Sequence, residues 1–227
     1  MSYVLKMIAE GEHLHQDFKT RVEDARKIAR TLAAFANTAG GRLLVGVRDN
    51  GSVCGVQAAE EYHMIQAAAT LHCRPAVPFE IQVWKAELRT VLEVQVPRSV
   101  GRPHFCDDEQ GRWSAWLRRE DCNHKASPVL VRVWQYEMRQ ERSEFRYDQY
   151  VGKLFARWRE GRVLQFRQVC RYARLEPFAA EELLALLIVW GIVATEPTPR
   201  GYTYALSDEA ALDRLETEGP QAWRYAG

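Results

Sequence analysis

The feature that most constrains this chain is the stretch AFANTAGGRLLVGVRDNGSVCGV, residues 34–56. Leading into it, Ala25, Ile28, Ala29, Leu32, Phe35 and Ala36 recur at helical spacing behind a candidate N-cap, Asp24, with Arg26, Lys27 and Arg30 off the apolar stripe. Gly40 and Gly41 end that helix. Leu43 to Val47 then form a continuous apolar run of strand length, and Asp49-Asn50-Gly51 turns the chain toward a second strand at Val53 to Val56. A helix that runs through two glycines straight into a buried strand lays its apolar stripe on the sheet that the strand joins. The expected class is therefore α+β, a mixed sheet with packed helices.

The flanking pattern agrees. Tyr3 to Glu10 predicts a short helix and Leu14 to Lys19 an extended segment. Ala58 to His72 predicts a helix, Phe79 to Trp84 and Thr90 to Val96 two strands joined around Ala86 to Arg89, and Trp113 to Arg118 another strand. Val129 to Trp134 has helical spacing and closes a first domain over residues 1–135. Residues 136–149 mix charges at helical spacing without Gly or Pro and read as a linking helix. From residue 150 to 227 the order is three helices (Tyr150 to Arg159, Phe166 to Ala173, Ala179 to Trp190) and a hairpin (Ile192 to Thr195, Tyr202 to Leu206), the order of a winged helix.

Charge excludes some classes and localises others. Lys and Arg number 31 against 30 Asp and Glu, so any surface for a polyanion must be local. Residues 136–174 carry 10 basic and 5 acidic groups, whereas 175–227 carry 3 and 9. The third helix of the winged helix, AAEELLALLIVW, has two Glu and no Lys or Arg, so it predicts a packing surface for the first domain, a second subunit or a protein partner rather than a base-reading helix. A basic helix side with Arg157, Arg159, Arg162, Arg167, Arg171 and Arg174 is the other cationic candidate in this half. The longest uncharged apolar stretch, Leu183 to Val193, is too short to span a bilayer, and the N-terminus lacks a signal peptide's apolar block. Five scattered cysteines without a CxxC pair point to reduced thiols, and together these features predict a cytoplasmic protein.

The segment GEHLHQDFK, the helix ending at Asn37 to Gly41 and the strand after it closely resemble the Schlafen AlbA-type domain found in many bacterial proteins. Val96-Pro97-Arg98-Ser99, Arg102-Pro103-His104-Phe105, Trp116-Leu117-Arg118 and Ala126-Ser127 extend the resemblance over roughly residues 8–133. It implies a domain tied to RNA or DNA binding and, in vertebrate Schlafen relatives, a carboxylate triad that cleaves structured RNA. The matching positions are Glu12, Asp17 and Asp49, which would hold Mg or Mn in a metal-dependent endoribonuclease. On an ideal strand Glu12 and Asp17 face opposite ways, so convergence requires a turn or bulge between them.

Lys19, Arg21, Arg26, Lys27, Arg30, Arg42 and Arg48, extended by Arg118, Arg119 and Lys125, are the expected phosphate-facing ridge. A near-neutral domain gains from pairing two such ridges, so a homodimer is expected. Asn37 and Thr38 are read as bonding local backbone at the helix end, with the glycines turning the chain. No GxxxxGK[ST] loop is present, which argues against ATP. His104 and Cys106, with Cys122 and His124, flank a strand at one-residue spacing, an unusual pattern for zinc. Three functions stay open: a nucleic-acid-binding protein favouring RNA or single strands, the endoribonuclease, and an ATP- or ligand-binding regulator acting through protein contacts.

Overall fold

A computed structural model describes residues 3–86, 88–139 and 147–219. The fold is mixed α+β and divides into two compact units, Met1–Ala126 and Ser127–Gly227.

The first unit opens with α1 (Tyr3–Ala9), β1 (Gln16–Lys19), α2 (Ala25–Asn37) and β2 (Gly41–Val45). β1 and β2 are parallel, with Asp17 opposite Leu43, so α2 is the crossover between them. Asp24 caps α2 by accepting from the N–H groups of Arg26 and Lys27. α3 (Ala58–Leu71), β3 (Cys73–Arg74), β4 (Glu80–Ala86) and β5 (Arg89–Val96) follow. β5 joins β2 and β4 antiparallel, completing the sheet β1-β2-β5-β4. Its two faces are covered differently. Leu43, Val45, Leu92 and Val94 pack under α2 and α3, whereas Phe18, Leu44 and Val91 pack under α1.

β6 (Phe105–Asp107), β7 (Trp113–Arg119) and β8 (Cys122–Lys125) pair antiparallel, with β3 beyond β6, in a second sheet of order β3-β6-β7-β8 that lies against α2. α2 is therefore shared by two sheets, which explains why Ile28 through Asn37 are nearly all buried rather than only the stripe predicted. The expected strand at Val53 to Val56 does not form. Only an isolated bridge joins Val47 to Val53, because Gly46 at φ 100° and Gly55 at φ 77° bend the chain on either side.

The second unit holds α4 (Pro128–Arg139), α5 (Gln149–Arg159), β9 (Leu164–Gln165), α6 (Phe166–Ala173), α7 (Pro177–Val189), β10 (Val193–Thr198), β11 (Gly201–Leu206) and α8 (Glu209–Glu218). β11 pairs antiparallel with both β10 and β9. Trp158, Leu154, Phe155, Val169 and Leu183 to Leu187 fill its core, and Trp158 Nε1 donates to Tyr204 O at 3.2 Å. α4 belongs to this unit, not to the end of the first domain as the sequence reading has it. It packs on α7, where Arg132 reaches Glu181 at 3.1 Å and pairs with Glu182. α4 and α6 of the same unit pack on α7, the helix expected to serve as a packing surface. Of the predicted linking helix at 136–149, residues 140–146 lie outside the described residues and 136–139 are the end of α4. No helix among the described residues is long and apolar enough to cross a membrane.

Candidate functional site

A tight turn precedes β1, with His13 and Gln16 exchanging backbone hydrogen bonds of 2.9 and 3.1 Å. The turn folds Glu12 back along the strand, and its Oε1 accepts from Phe18 N at 2.8 Å. Glu12 and Asp17 come together through this turn. Burial, reinforced by the neighbouring Asp17 carboxylate, raises the Glu12 carboxyl above the usual carboxylate range despite the opposing pull of the Phe18 N–H.

Asp17 is only 5% exposed and both its oxygens are taken by cations. Oδ1 accepts from Arg118 Nη2 at 3.0 Å and Oδ2 from Lys19 Nζ at 2.6 Å. Arg118, 2% exposed, also donates to Gln16 O at 3.2 Å and Asn123 Oδ1 at 3.2 Å, and lies 5.2 Å over the Phe35 ring. Arg118 is thus a buried structural cation, which removes it from the expected phosphate ridge.

Asp49 does not join the pair. It sits exposed in the turn Arg48–Gly51 and lines a cleft with Leu5, Ile8 and Phe18, on the α1 side of the sheet. Phe18 and Asp17 alternate along β1, so the Asp17 carboxyl is on the other face. The expected triad needs all three carboxylates to converge, whereas two cations already occupy Asp17 and Asp49 lies on the other face. Among the described residues no three His, Cys, Asp or Glu side chains stand close enough to hold a metal ion, so Glu12, Asp17 and Asp49 do not form one three-carboxylate site. Zinc fails for a topological reason: Cys106 is on β6 and Cys122 and His124 are on β8, with β7 between, a separation of roughly 10 Å. Burial also pushes the Cys106 thiol up to about 12, away from the thiolate that zinc binds.

The Asn37-Thr38 pair corrects another expectation. Rather than capping locally, the fully buried Asn37 side chain donates to His104 O and Trp116 O, both at 2.9 Å, and accepts from His104 N at 2.7 Å. Thr38 Oγ1 accepts from Arg118 N at 2.9 Å. The pair clamps α2 to the second sheet. Gly40 keeps the expected role, at φ 75° with its N–H bonded to Phe35 O at 2.9 Å.

The remaining ridge residues divide by their partners. Lys19 is held by Asp17, Arg21 by Glu23 at 2.7 Å, Arg26 by Asp107 at 3.3 Å and Arg42 by Glu10. Arg48 bonds Ser52 at 3.3 Å. Burial would raise the Asp107 carboxyl, but hydrogen bonds from His72 and Arg26 outweigh it and hold the group below the usual range. Arg119 and Lys125 lie on β7 and β8.

Two α2 cations stand apart. Among the described residues no carboxylate pairs with exposed Lys27 or with Arg30, whose guanidinium lies 5.3 Å over the Trp116 ring. Lys125 is directly opposite Trp116 across the β7–β8 ladder, and Thr31, next to Arg30, accepts from Asn123 of β8 at 3.0 Å. α2 and the β7–β8 hairpin thereby bring Lys27, Arg30, Trp116 and Lys125 to one surface. Trp116 is absent from the residues predicted for this surface, although its place two residues before Arg118 on a strand is a usable signal.

A family model described as Schlafen, AlbA_2 matches residues 12–127. None of the curated proteins compared matches the chain. Among solved structures, the DIP2311 protein from Corynebacterium diphtheriae is 18% identical with a TM-score of 0.44, covering 86% of this chain and 34% of its own length. This chain thus spans about a third of that protein. The N-terminal domain of a RecG-related protein from Nitrosomonas europaea is 22% identical with a TM-score of 0.41, covering 52% of this chain and 89% of that domain.

Proposed function

Because the chain belongs to the Schlafen AlbA_2 family, we propose that its first unit binds nucleic acid, RNA or single strands in preference to duplex DNA, through contacts to the phosphate backbone. The observation that carries this reading is the Arg30–Trp116 pair with Lys27 beside it. A guanidinium laid on an indole face keeps its N–H edges outward and loses little freedom when they meet a phosphate. Neither cation has a carboxylate to give up among the described residues, so neither must break an ion pair to bind.

The second unit supports backbone contact over base reading. Its order α5-β9-α6-α7-β10-β11 is what leads us to read it as a winged helix. In that reading α7 would be the recognition helix, yet Leu183 to Leu187 are buried and Glu181 and Glu182 face Arg132. A homodimer that sets two α2 surfaces along one strand belongs to the same proposal, since two cations per unit give weak binding alone.

The test is a salt titration of the whole chain with labelled tRNA, a single strand and its duplex. We expect log Kd on the single strand to rise steeply with log salt, and the Lys27→Ala, Arg30→Ala double variant to reduce that slope by about 1.4 for each protomer on the strand, roughly 0.7 for each phosphate no longer neutralised. A double variant with the slope of the unaltered chain overturns the first-unit reading.

A further inference from the structure

α5 and α6 enclose a cleft of about 500 Å³ in which two tyrosines each carry two cations. Over Tyr150 lie the Arg174 guanidinium at 4.4 Å and Lys153 Nζ at 5.4 Å, and Arg174 Nη1 also donates to the Tyr150 hydroxyl at 2.8 Å. Over Tyr172 lie the Arg171 guanidinium at 5.1 Å and that of Arg157 at 5.7 Å. The spacing makes the comb: Tyr150, Lys153 and Arg157 recur along one face of α5, and Arg171 and Arg174 are one turn apart at the end of α6. Arg174 adopts the left-handed conformation at φ 51° as the C-cap, which turns its side chain back over α5.

Charge balance in this unit is selective. Arg159, on the same helix, is surrounded by Glu209, Asp213 and Glu216 of α8. In the cleft, Arg157 alone meets a carboxylate among the described residues, Glu160 at 3.0 Å, and Lys153, Arg171 and Arg174 meet none there. With Arg157 paired to Glu160, three cations without a carboxylate among the described residues remain in the cleft; they repel one another, and an anion placed between them relieves that repulsion. The tyrosine faces are occupied by cations, so the cleft offers little aromatic surface for a base or an acyl chain. What it presents is a row of guanidinium and ammonium edges.

We propose that this cleft is a second site for the nucleic-acid backbone, taking successive phosphodiesters of a strand on Lys153, Arg171 and Arg174 with Tyr150 and Tyr172 as braces. It takes its ligand class from the nucleic-acid reading of the first unit and rests on that reading for it, but its residues are separate. It lies on α5 and α6, away from the helix that reads bases in a winged helix.

The experiment is a salt titration of the full chain carrying Lys153→Glu and Arg171→Glu, with the gentler Lys153→Gln, Arg171→Gln pair alongside. Unchanged circular dichroism melting checks the fold of each. The probes are a labelled single strand and vesicles containing phosphatidylserine. The Gln pair is expected to reduce the slope of log Kd against log salt by about 1.4 and the Glu pair to weaken affinity further, in addition to the effect of Lys27→Ala, Arg30→Ala. Tyr172→Leu is expected to weaken binding and Tyr172→Phe to leave it nearly unchanged. If the cleft variants match the unaltered chain while the α2 variant does not, this inference is overturned and the first-unit reading stands. If the cleft variants alone weaken binding, the inference stands and the first-unit reading falls. Vesicle binding abolished in the cleft variants, with polynucleotide affinity intact, would assign the cleft to membrane headgroups and overturn the proposal.

Discussion

Arg118 Nη2 donates to Asp17 Oδ1 at 3.0 Å, with both side chains almost wholly buried. The pair joins β7 of the second sheet to β1 of the first, so two residues that read in the sequence as a phosphate contact and a metal ligand are a strut between sheets. The cation that neutralises Asp17 comes from the chain itself.

Removing Arg118 takes one of two cations from the buried Asp17 carboxylate and leaves partly exposed Lys19 to balance it. Arg118→Met is expected to cost about 3 kcal/mol, the low end for breaking a buried pair because Lys19 stays on Asp17, read as a fall in the urea midpoint. The Asp17→Leu, Arg118→Met double variant is expected to be less destabilised than the sum of the singles, since no uncompensated charge remains. Additive effects in that cycle would show the two residues to be energetically independent.

Glu12 predicts the opposite sign. Its carboxyl is raised in the fold by burial and by Asp17, so the folded chain holds a proton that the unfolded chain has released. The group therefore favours folding below the ordinary Glu pKa of about 4.3, and that contribution is lost as pH rises through the raised value. Glu12→Gln keeps an oxygen for the Phe18 N–H and removes the charge. We expect it to flatten the stability profile above pH of about 4.3 and to be at least as stable as the unaltered chain at pH 7, measured by urea unfolding across pH.

How much of this is legible in the sequence depends on the range of the interactions. The α2 stripe, the strand at Leu43 and the helix Phe166–Ala173 are readable because periodicity is a local signal. Two- and three-residue strands such as β3 and β6 carry no period and leave no such mark. The positions of Lys and Arg in a sequence give charge but not partners, and the carboxylates that hold Arg26 and Arg42 lie 81 and 32 residues away along the chain. Arg118 shares one strand face with Trp116, but alternation alone does not say which face turns inward. The tyrosine braces at α5 and α6 are within reach, as Tyr150, Lys153 and Arg157 share a helical face.

Asn37 cannot be placed from its neighbours, because its partners are 67 and 79 residues on. Its amide satisfies two carbonyls and one N–H in a fully buried site. Asn37→Ala is expected to cost about 3 kcal/mol through the groups left unpaired. Asn37→Asp keeps the acceptor for His104 N but turns a carboxylate oxygen toward two carbonyls, so we expect it to be the less stable of the two at pH 7 and to recover toward the alanine variant as pH falls. Thermal melting at two pH values checks the order.

His104 gives a pH limit that begins above the carboxylates. Burial lowers its pKa, against the pull of the Pro75 carbonyl, which Nδ1 meets at 2.8 Å, and Nε2 is buried without a partner among the described residues. The ring is therefore neutral in the fold where the unfolded chain would protonate it. Stability from this group is complete above the ordinary His pKa of about 6.5 and is lost as pH falls toward the depressed folded value. We expect the urea midpoint to drop between pH of about 7.5 and about 5.5 in the unaltered chain and much less in His104→Leu, which starts lower because it gives up the bond to Pro75. An equal drop in both would assign the acid sensitivity to another group.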